Sequence, residues 1–369
     1  MFENVFLTAP QSVELLNMPG AFLGPIASFL GMIFNFCFNL VQSITGDTLT
    51  LGLAIILITL IVKVLMFPLA IKSQKSMAGM RSVQPELKKI QDKYKGNNDP
   101  EAKRKMSTEV SELYRKNNVN PLSGCLPMLV QLPILFALFQ VLQRTHIYVT
   151  DLGDIYTQIA MYLSALPQDY FTQLGSVLAP TINDLVSSTD TVAYGLANME
   201  NFVVILSNIY PDQWNAIREI TTQTSIDPQL WATVVNSVEY VPAGLSAANA
   251  PDAGWLNSLI TQKSNMETFF GINLIRNSGV ALPGIIIPIL SGITTFFTTK
   301  LTSAATVAAD EKAQSQQKMM LYVMPAMMVF FAVTLPAGLG LYWTAGNVFQ
   351  LIQQVILNKY FTKAKPKEA

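Results

Sequence analysis

The sequence predicts an all-α integral membrane protein: a five-span helical bundle with a cytoplasmic helical hairpin and an outer interfacial helix. Half of the 369 residues are hydrophobic, 13% are charged, and the mean hydropathy is +0.35, a composition typical of membrane proteins. Apolar runs that approach the roughly 20 residues needed to cross a bilayer recur along the chain. The charged residues between these runs are segregated by sign, which predicts an orientation.

Basic residues are concentrated in three parts of the chain. Twelve of the 24 Lys and Arg lie between Lys72 and Lys116, three lie between two later apolar runs, and four lie in the C-terminal tail. By contrast, His146–Ala281 holds three basic and twelve acidic residues. Because cytoplasmic loops carry an excess of cations, the three basic parts are predicted to be cytoplasmic. The N-terminus and the acidic stretch are then outside, and the C-terminus is cytoplasmic.

Residues 1–48 are predicted to form an outer N-terminal segment with an amphipathic helix. Gly20–Thr45 is apolar but carries a narrow uncharged polar stripe at helical spacing, formed by Ser28, Asn35, Asn39 and Gln42. Both an interfacial helix and an additional span fit this pattern. We favour the interfacial helix, because Gly46-Asp47 leaves little room to turn and the next span must enter from outside.

The N-terminus and the cysteines predict no processing or crosslinking. The first twenty residues contain no Lys or Arg and no compact apolar core, so we expect no secretory signal peptide. Cys37 lacks the small-residue context of a lipoprotein cleavage site, so no lipid anchor is expected. Cys37 and Cys125 should occupy different parts of the molecule, and we expect no disulfide between them.

The first span is predicted over residues 49–71, with Pro68 near its inner end. A cytoplasmic helical hairpin follows over residues 72–120 and turns near Gly96–Pro100. Apolar residues at helical spacing predict a thin seam between the two helices: Val83, Leu87, Ile90 and Tyr94 on one, Met106, Val110 and Leu113 on the other. Twelve basic and six acidic residues leave the hairpin a net charge of +6. It is either an ordinary solvated hairpin or a basic arm that contacts anionic lipid, ribosomal RNA or a protein.

The remaining chain contains four predicted spans around a long outer insert. The second span covers residues 121–145, and its prolines are tolerated if neighbouring helices satisfy the freed carbonyls. The insert, residues 146–281, has no apolar run of 18 residues and is predicted to be a small, mostly helical subdomain near the membrane surface. Residues 282–357 form three further spans, which have only about 17 to 19 residues each, at the short end of the range. A basic cytoplasmic tail, residues 358–369, follows.

Two connections join the last three spans. A cytoplasmic loop, Lys300–Lys318, joins the first of them to the second, and a tight outer hairpin, Pro336–Gly340, joins the second to the third.

Lys63 lies inside the first span, whose only other polar side chain from Leu51 to Ile71 is Thr59. A cation near the middle of a membrane costs at least a few kcal/mol, so it should face a protein interior or a water-filled cavity. No span contains an Asp or Glu to pair with it. The sequence therefore predicts a hydrated cavity in the membrane, with a lysine that snorkels to the interface as the alternative.

Four stretches resemble the YidC insertases, relatives of the mitochondrial and chloroplast insertases. In order along the chain they are Leu53–Lys95, Asn120–Leu142, Ile285–Leu301 and Gln316–Gln354. The stretches NPLSGCLPMLVQLPILFALFQVL and QQKMMLYVMPAMMVFFAVTLPAGLGLYWTAGNVFQLIQQ are the specific ones. The four cover about a third of the chain. The enlarged segment between the second and third core spans departs from the family pattern, and the lack of a large N-terminal outer domain fits a Gram-positive type.

The resemblance implies a membrane protein insertase in a bacterial plasma membrane. In that family a cation of the first core span lies in a hydrophilic groove open to the cytoplasm and the lipid. Lys63 stands at that position, where the family usually has Arg. Expected partners are nascent membrane proteins, the lipid bilayer, the ribosome through the basic hairpin and tail, and the general translocation channel. The predicted groove-lining residues are Lys63, Gln131, Gln140, Thr294, Tyr342, Trp343 and Asn347.

Each groove residue also has an ordinary structural interpretation. Neutral polar side chains form hydrogen bonds between helices in many bundles, and Tyr342 and Trp343 near the outer hairpin fit belt aromatics.

The sequence also bears on three other classes of protein: a transporter, an enzyme and a structural partner. A small-solute or ion-coupled transporter is the main alternative, although internal repeats and intramembrane acids are not seen. We expect no enzyme, cofactor or metal site, because His146 is the only histidine and no span carries an acid. A purely structural partner, in which Lys63 pairs with another subunit's acid, is the third class.

Overall fold

The computed structural model describes residues 23–97, 99–117, 119, 126–185, 199–303 and 311–363. The predictions for the first 22 residues, for Cys125 and for the lysines of the C-terminal tail concern side chains outside this description. In chain order the helices are α1 (Leu23–Thr45), α2 (Thr50–Leu65), α3 (Phe67–Lys93), α4 (Pro100–Lys116), α5 (Leu126–Gln143), α6 (Thr145–Tyr148), α7 (Thr150–Ser164), α8 (Gln168–Leu185), α9 (Met199–Ser207), α10 (Pro211–Thr222), α11 (Pro228–Ser237), α12 (Ala253–Glu267), α13 (Ile286–Ser303), α14 (Glu311–Thr334) and α15 (Ala337–Lys363). Strands β1 (Thr268–Phe269) and β2 (Ile272–Asn273) form one short antiparallel hairpin.

The chain divides into two compact units. The insert unit consists of the chain up to Thr50 together with Gln143–Glu267, and the bundle unit consists of Leu51–Leu142 together with the chain from Thr268 onward. The predicted insert, residues 146–281, therefore includes residues of both units. Its last residues belong with the bundle, because their backbone groups bond to helices of that unit.

In the insert unit, helices α6 to α12 surround an aromatic core. Trp231 is fully buried, and its indole N–H donates to the carbonyl of Ser246 over 2.9 Å. The ring of Tyr162 stacks on Trp255 with the ring centroids 6.1 Å apart. Buried aromatic side chains of this size supply much of the stabilisation of a small domain, so this segment of the chain has a hydrophobic core of its own.

Helix α1 packs against the start of the insert and presents three different faces. Its buried face includes Gly31, on which the Tyr148 ring lies so closely that an added Cβ would be 2.1 Å from the ring. The side chain of Asn35, from the predicted polar stripe, bonds to Thr150, accepting from its backbone N–H over 3.2 Å. A third face is exposed and entirely apolar, formed by Phe29, Met32, Phe36, Leu40 and Ile44, with exposed fractions from 43% to 77%.

In the bundle unit, α13 packs closely against α14 and α15 through glycines. A Cβ added to Gly292 of α13 would lie 2.4 Å from Val329, and one added to Gly340 of α15 would lie 2.8 Å from Ile287. Small residues at such contacts let helices approach each other. The connection between α14 and α15 is shorter than the predicted turn Pro336–Gly340, because α15 begins at Ala337.

Residues Thr268–Ser278 contact the first turns of two bundle helices, α2 and α15. The Phe269 ring lies on Gly52 of α2, where a Cβ would be 2.1 Å away. The backbone N–H groups of Ala337 and Gly338 donate to the carbonyls of Arg276 and Leu274 over 2.7 and 2.8 Å. Because the first N–H groups of a helix have no partner within it, this segment caps the start of α15.

The first predicted span, residues 49–71, is not one straight helix. Helix α2 ends at Leu65, and the chain bends by 53° before α3 continues toward Ser76. Pro68, expected near the inner end of the span, lies in the first turn of α3, where a missing N–H is tolerated. The bend places Lys63 in the last turn of α2.

Helices α3 and α4 form an antiparallel pair along the predicted seam. Val83 and Leu113 are buried, and Asp99 caps α4 by accepting from the backbone N–H of Glu101. At the turn, the Lys93 ammonium donates to the Glu109 carboxylate over 2.6 Å. These contacts raise the pKa of Lys93, chiefly through the hydrogen bond with Glu109, and lower the pKa of Glu109.

Only one helix in the described part of the chain, α1, is long and apolar enough by itself to cross a membrane. Helix α2 and Phe67–Ser76 together would make a second candidate. Shorter apolar helices cover Leu129–Gln143, Ile286–Thr302 and Lys318–Thr334. The five-span arrangement therefore stays a prediction, and the mostly helical fold is what the structure shows.

Candidate functional site

Lys63 lies where α2 contacts α15 in the bundle unit. A Cβ added to Gly346 of α15 would be 3.1 Å from Lys63 Cε and 3.7 Å from Nζ. The side chain is half-buried, and within the described residues its ammonium forms no hydrogen bond or ion pair. Thr59, one turn earlier, is buried, and its hydroxyl donates to the carbonyl of Ile55 over 2.6 Å. A cation in this position therefore has neutral neighbours.

Gln131 and Tyr342 are brought together between α5 and α15. The Gln131 side-chain amide donates to the Tyr342 hydroxyl over 2.5 Å. Tyr342 is 2% exposed, whereas Gln131 is half-buried. The ring of Tyr342 therefore lies inside the bundle unit and not in an exposed aromatic belt.

Asn347 connects α15 to α13. Its side-chain amide donates to the hydroxyl of Thr295 over 2.8 Å and to that of Thr294 over 3.3 Å. Thr294 was predicted for the site, and its buried neighbour Thr295 was not. The hydroxyl oxygen of Ser291, one turn earlier on α13, is buried without a hydrogen-bond partner among the described residues.

The other two predicted residues, Gln140 of α5 and Trp343 of α15, are half-buried. Within the described residues neither forms a hydrogen bond, and Trp343 forms no ring contact. The structure thus brings together Lys63 with α15, Gln131 with Tyr342, and Thr294 with Asn347.

Sequence reasoning missed two contacts of the bundle. Gly346 contacts Lys63, and the available signal in the sequence was a glycine in the interior of an apolar helix, which was not used. The side-chain amide of Gln74 on α3 donates to Gln354 on α15. The spacing of Asn347 and Gln354 by seven residues places both on one face of α15.

A second buried cation lies in the insert unit. Lys263 and Glu267, 5% and 1% exposed, form an ion pair at 2.9 Å, and the Tyr156 hydroxyl donates to the same carboxylate over 2.6 Å. The Lys263 ammonium also lies 4.5 Å from the centroid of the Trp214 ring, a favourable cation–π distance. The i,i+4 spacing of Lys263 and Glu267 was the available signal in the sequence.

His146 borders this buried cluster. Its ring packs edge-on against Tyr156 at 6.3 Å, and neither ring nitrogen has a hydrogen-bond partner in the described part of the chain. Burial, aided by the charge of Arg144, lowers the pKa of His146 to about 4. No group of three or more His, Cys, Asp or Glu side chains that could hold a metal ion is found among the described residues.

Comparison with known proteins identifies relatives along most of the chain. The 60Kd inner membrane protein family matches residues 41–209 and 230–365. Membrane protein insertase YidC 2 of Listeria innocua is 25% identical over 318 residues, which cover 86% of this chain and 67% of that protein. Membrane protein insertase YidC of Clostridium perfringens is 34% identical over 193 residues, 51% of this chain and 78% of that protein.

A shorter match is closer in sequence. Membrane protein insertase YidC of Fusobacterium nucleatum is 42% identical over 135 residues, 37% of this chain and 62% of that protein. The family and the class of function predicted from the sequence, an insertase and not an enzyme, are confirmed. Membership implies a cell-membrane location and nascent membrane proteins as substrates. The family match covers well over half of the chain, and the chain therefore belongs to the 60Kd inner membrane protein family of YidC insertases.

Proposed function

We propose that this insertase moves the polar tails of nascent membrane segments through a hydrophilic groove in the bundle unit. In this proposal Lys63 is the positively charged residue of the groove. The observation that carries the proposal is the position of Lys63 against α15, with no acidic partner among the described residues. Helices α2, α5, α13 and α15 contain no Asp or Glu. An unpaired cation in this setting attracts acidic residues of a client more strongly than it would in bulk water.

The groove is lined by Lys63, Gln131, Gln140, Thr294, Tyr342, Trp343 and Asn347 in this proposal. A client tail must otherwise cross about 30 Å of hydrocarbon, and a hydrated groove shortens the dry part of that path. The apolar part of the client then leaves sideways into lipid. The Gln131–Tyr342 and Asn347–Thr295 hydrogen bonds support the proposal, because they place polar groups inside an otherwise apolar bundle.

The proposed topology has five spans, an outer N-terminus and a cytoplasmic C-terminus. The segregation of Lys and Arg supports it, and the short apolar helices fit a locally thinned bilayer. Helix α1 then lies in the outer interface and does not span. Its faces support this placement: one side packs on the insert, the opposite side is apolar and exposed, and Ser28 and Asn39 on the strip between them are exposed to solvent.

The basic hairpin formed by α3 and α4 is the proposed contact for ribosomal RNA or anionic lipid, with the C-terminal tail as a second contact. The lysines near its turn, including Lys88, Lys89 and Lys95, are exposed, and such clusters attract polyanions. The general translocation channel is a further proposed partner. A small-solute transporter, the earlier alternative, gains no support from the family match.

Complementation of an insertase-depleted bacterium tests the proposal. Wild type, Lys63→Arg, Lys63→Ala and Lys63→Glu are expressed at matched membrane levels. We expect rescue by wild type and Lys63→Arg, and loss of rescue for Lys63→Glu, because a carboxylate would repel acidic client tails. Equal rescue by all four would refute the charged groove and leave Lys63 as a snorkelling lysine, while insertase function would stand.

A further inference from the structure

Gly346 of α15 lies close to the Lys63 side chain. An added Cβ would lie 3.1 Å from Lys63 Cε, 3.7 Å from Nζ and 3.7 Å from Thr59 Cγ2. The glycine is buried in the interior of α15, where glycine is less favourable than alanine by roughly 0.5–1 kcal/mol. A helix that keeps a glycine at this position needs a packing reason, and the close approach of Lys63 supplies one.

The two other glycines of α15 with close neighbours contact different groups. A Cβ on Gly340 would meet the Ile287 side chain at 2.8 Å, and one on Gly338 would meet Ile55 and a backbone carbonyl, each at 3.0 Å. These positions allow close packing of apolar side chains and backbone. At Gly346 the nearest atoms instead belong to the end of the charged side chain.

We propose that Gly346 is a positioning residue, which lets the Lys63 ammonium lie directly against α15. The inference rests on the proposed function of Lys63 in the groove. A methyl group at position 346 would be closer to Lys63 Cε than ordinary van der Waals contact allows. Because the lysine side chain is flexible and the helix backbone is not, the side chain would move and the ammonium would move with it.

Displacement of the ammonium changes its attraction to an acidic client tail. For a pair of charges about 4 Å apart in a partly hydrated protein site, a shift of a few tenths of an ångström, which relieves a contact of 3.1 Å, changes the binding of the acid by roughly 1.5-fold to twofold. A client with a neutral tail does not sense this change. Gly346→Ala should therefore reduce the preference for acidic tails, which is measured as the ratio of acidic-tail to neutral-tail insertion.

The experiment uses the full chain in liposomes and two clients that differ only in three tail residues, Asp in one and Asn in the other. The insertion rate of each client is measured for wild type, Gly346→Ala, Lys63→Ala and the matched control Gly340→Ala. The control introduces a tighter contact on the same helix without touching Lys63. We expect the acidic-to-neutral ratio to fall by roughly 1.5-fold to twofold in Gly346→Ala and to be unchanged in Gly340→Ala, whatever the overall rate.

A double mutant separates positioning from simple packing. In Gly346→Ala/Lys63→Ala the clashing atoms are gone, and of the three atoms nearest to the new methyl group only Thr59 Cγ2 remains, at an ordinary contact distance of 3.7 Å. We expect this variant to match Lys63→Ala in both rates and to be at least as thermally stable, because alanine is more favourable than glycine in a helix interior, even if Gly346→Ala alone folds poorly. Additive losses, or an unchanged ratio in Gly346→Ala, would overturn the inference.

The failure of the proposed function gives a different result. In that case Lys63→Ala shows the same acidic-to-neutral ratio as wild type. The positioning role of Gly346 is then overturned together with the proposed function of Lys63. If Lys63→Ala changes the ratio and Gly346→Ala does not, only the positioning role is overturned.

Discussion

Each unit of this protein contains a lysine that is shielded from bulk solvent. The two lysines differ in whether their charge has an acidic partner among the described residues. Lys263 of the insert unit is fully paired: Glu267 lies 2.9 Å away and the Trp214 ring lies beneath its ammonium. Lys63 of the bundle unit lies against Gly346 and forms no ion pair within the described residues. Satisfied buried charges are part of a fold, whereas an unsatisfied cation is available to a ligand. The comparison predicts that Lys263 acts on stability and Lys63 on activity.

The largest expected effect on activity separates the two units by function. We expect Lys63→Ala to lower insertion of a client with an acidic tail roughly tenfold, the factor that corresponds to about 1.4 kcal/mol. Replacement of Asp151–Met266 by a short linker should lower it less, because that deletion retains Thr268–Ser278, which cap α15. Insertion in liposomes at equal protein density measures both effects. Loss of all activity in a stable deletion variant, with Lys63→Ala fully active, would reverse the assignment.

The next effect concerns the stability of the insert unit. Lys263→Met leaves the Glu267 carboxylate buried without its cation, which typically costs about 3–5 kcal/mol. Three of the four tryptophans, Trp214, Trp231 and Trp255, lie in this unit. In a Trp343→Phe background their fluorescence therefore reports unfolding of the insert unit alone.

The control for this prediction is the double variant Lys263→Met/Glu267→Gln, which removes both charges. It should recover part of the lost stability, because no charge is then buried without a partner. If Lys263→Met unfolds at the wild-type temperature, the ion pair contributes nothing, and the contrast with Lys63 is lost.

The pattern of apolar runs predicted the helices of the bundle better than it predicted their ends. Hydropathy locates an apolar run, but the bend after Leu65 depends on local backbone geometry near Pro68, which composition does not register. The helices of the insert were still harder to predict from the sequence. Its short helices pack through residues far apart in sequence, such as Tyr156 and Glu267, and no periodicity in the sequence reveals such pairs.

The sequence identified residues of the candidate site better than it identified the contacts between them. Lys63, Gln131 and Asn347 were identified because polar side chains are rare in apolar runs, and that argument needs no structure. Gly346 and Thr295 were missed, because a glycine and a threonine are common in membrane helices. Their roles depend on which side chain lies opposite, and this is known only once α2, α13 and α15 are packed.

The pH dependence of the insert unit follows from His146. Its folded pKa of about 4 lies below the ordinary value of 6.5, so the folded unit favours the neutral ring. The resulting stabilisation is fully present above pH 6.5 and is lost as the pH falls toward 4, by up to about 3 kcal/mol. Thermal unfolding of the insert unit at pH 7.5, 6 and 4.5 measures it. His146→Leu should unfold with a smaller pH dependence, and an unchanged pH dependence would exclude His146 as its source.

The last comparison concerns two tyrosine hydroxyls, one in each unit, and it includes the smallest expected effect on stability. Tyr156→Phe removes a hydrogen bond to a buried carboxylate, which is worth about 1.5–3 kcal/mol. Tyr342→Phe removes a hydrogen bond between neutral groups of two helices, for which about 0.6 kcal/mol is typical in membrane proteins. Thermal unfolding should therefore shift clearly for the insert variant and barely for the bundle variant. Activity should follow the opposite order, because Tyr342 is proposed to line the groove and Tyr156 is not. If both variants lost stability equally and kept full activity, Tyr342 would be an ordinary packing residue, and the distinction between a structural polar cluster and a functional one would rest on Lys63 alone.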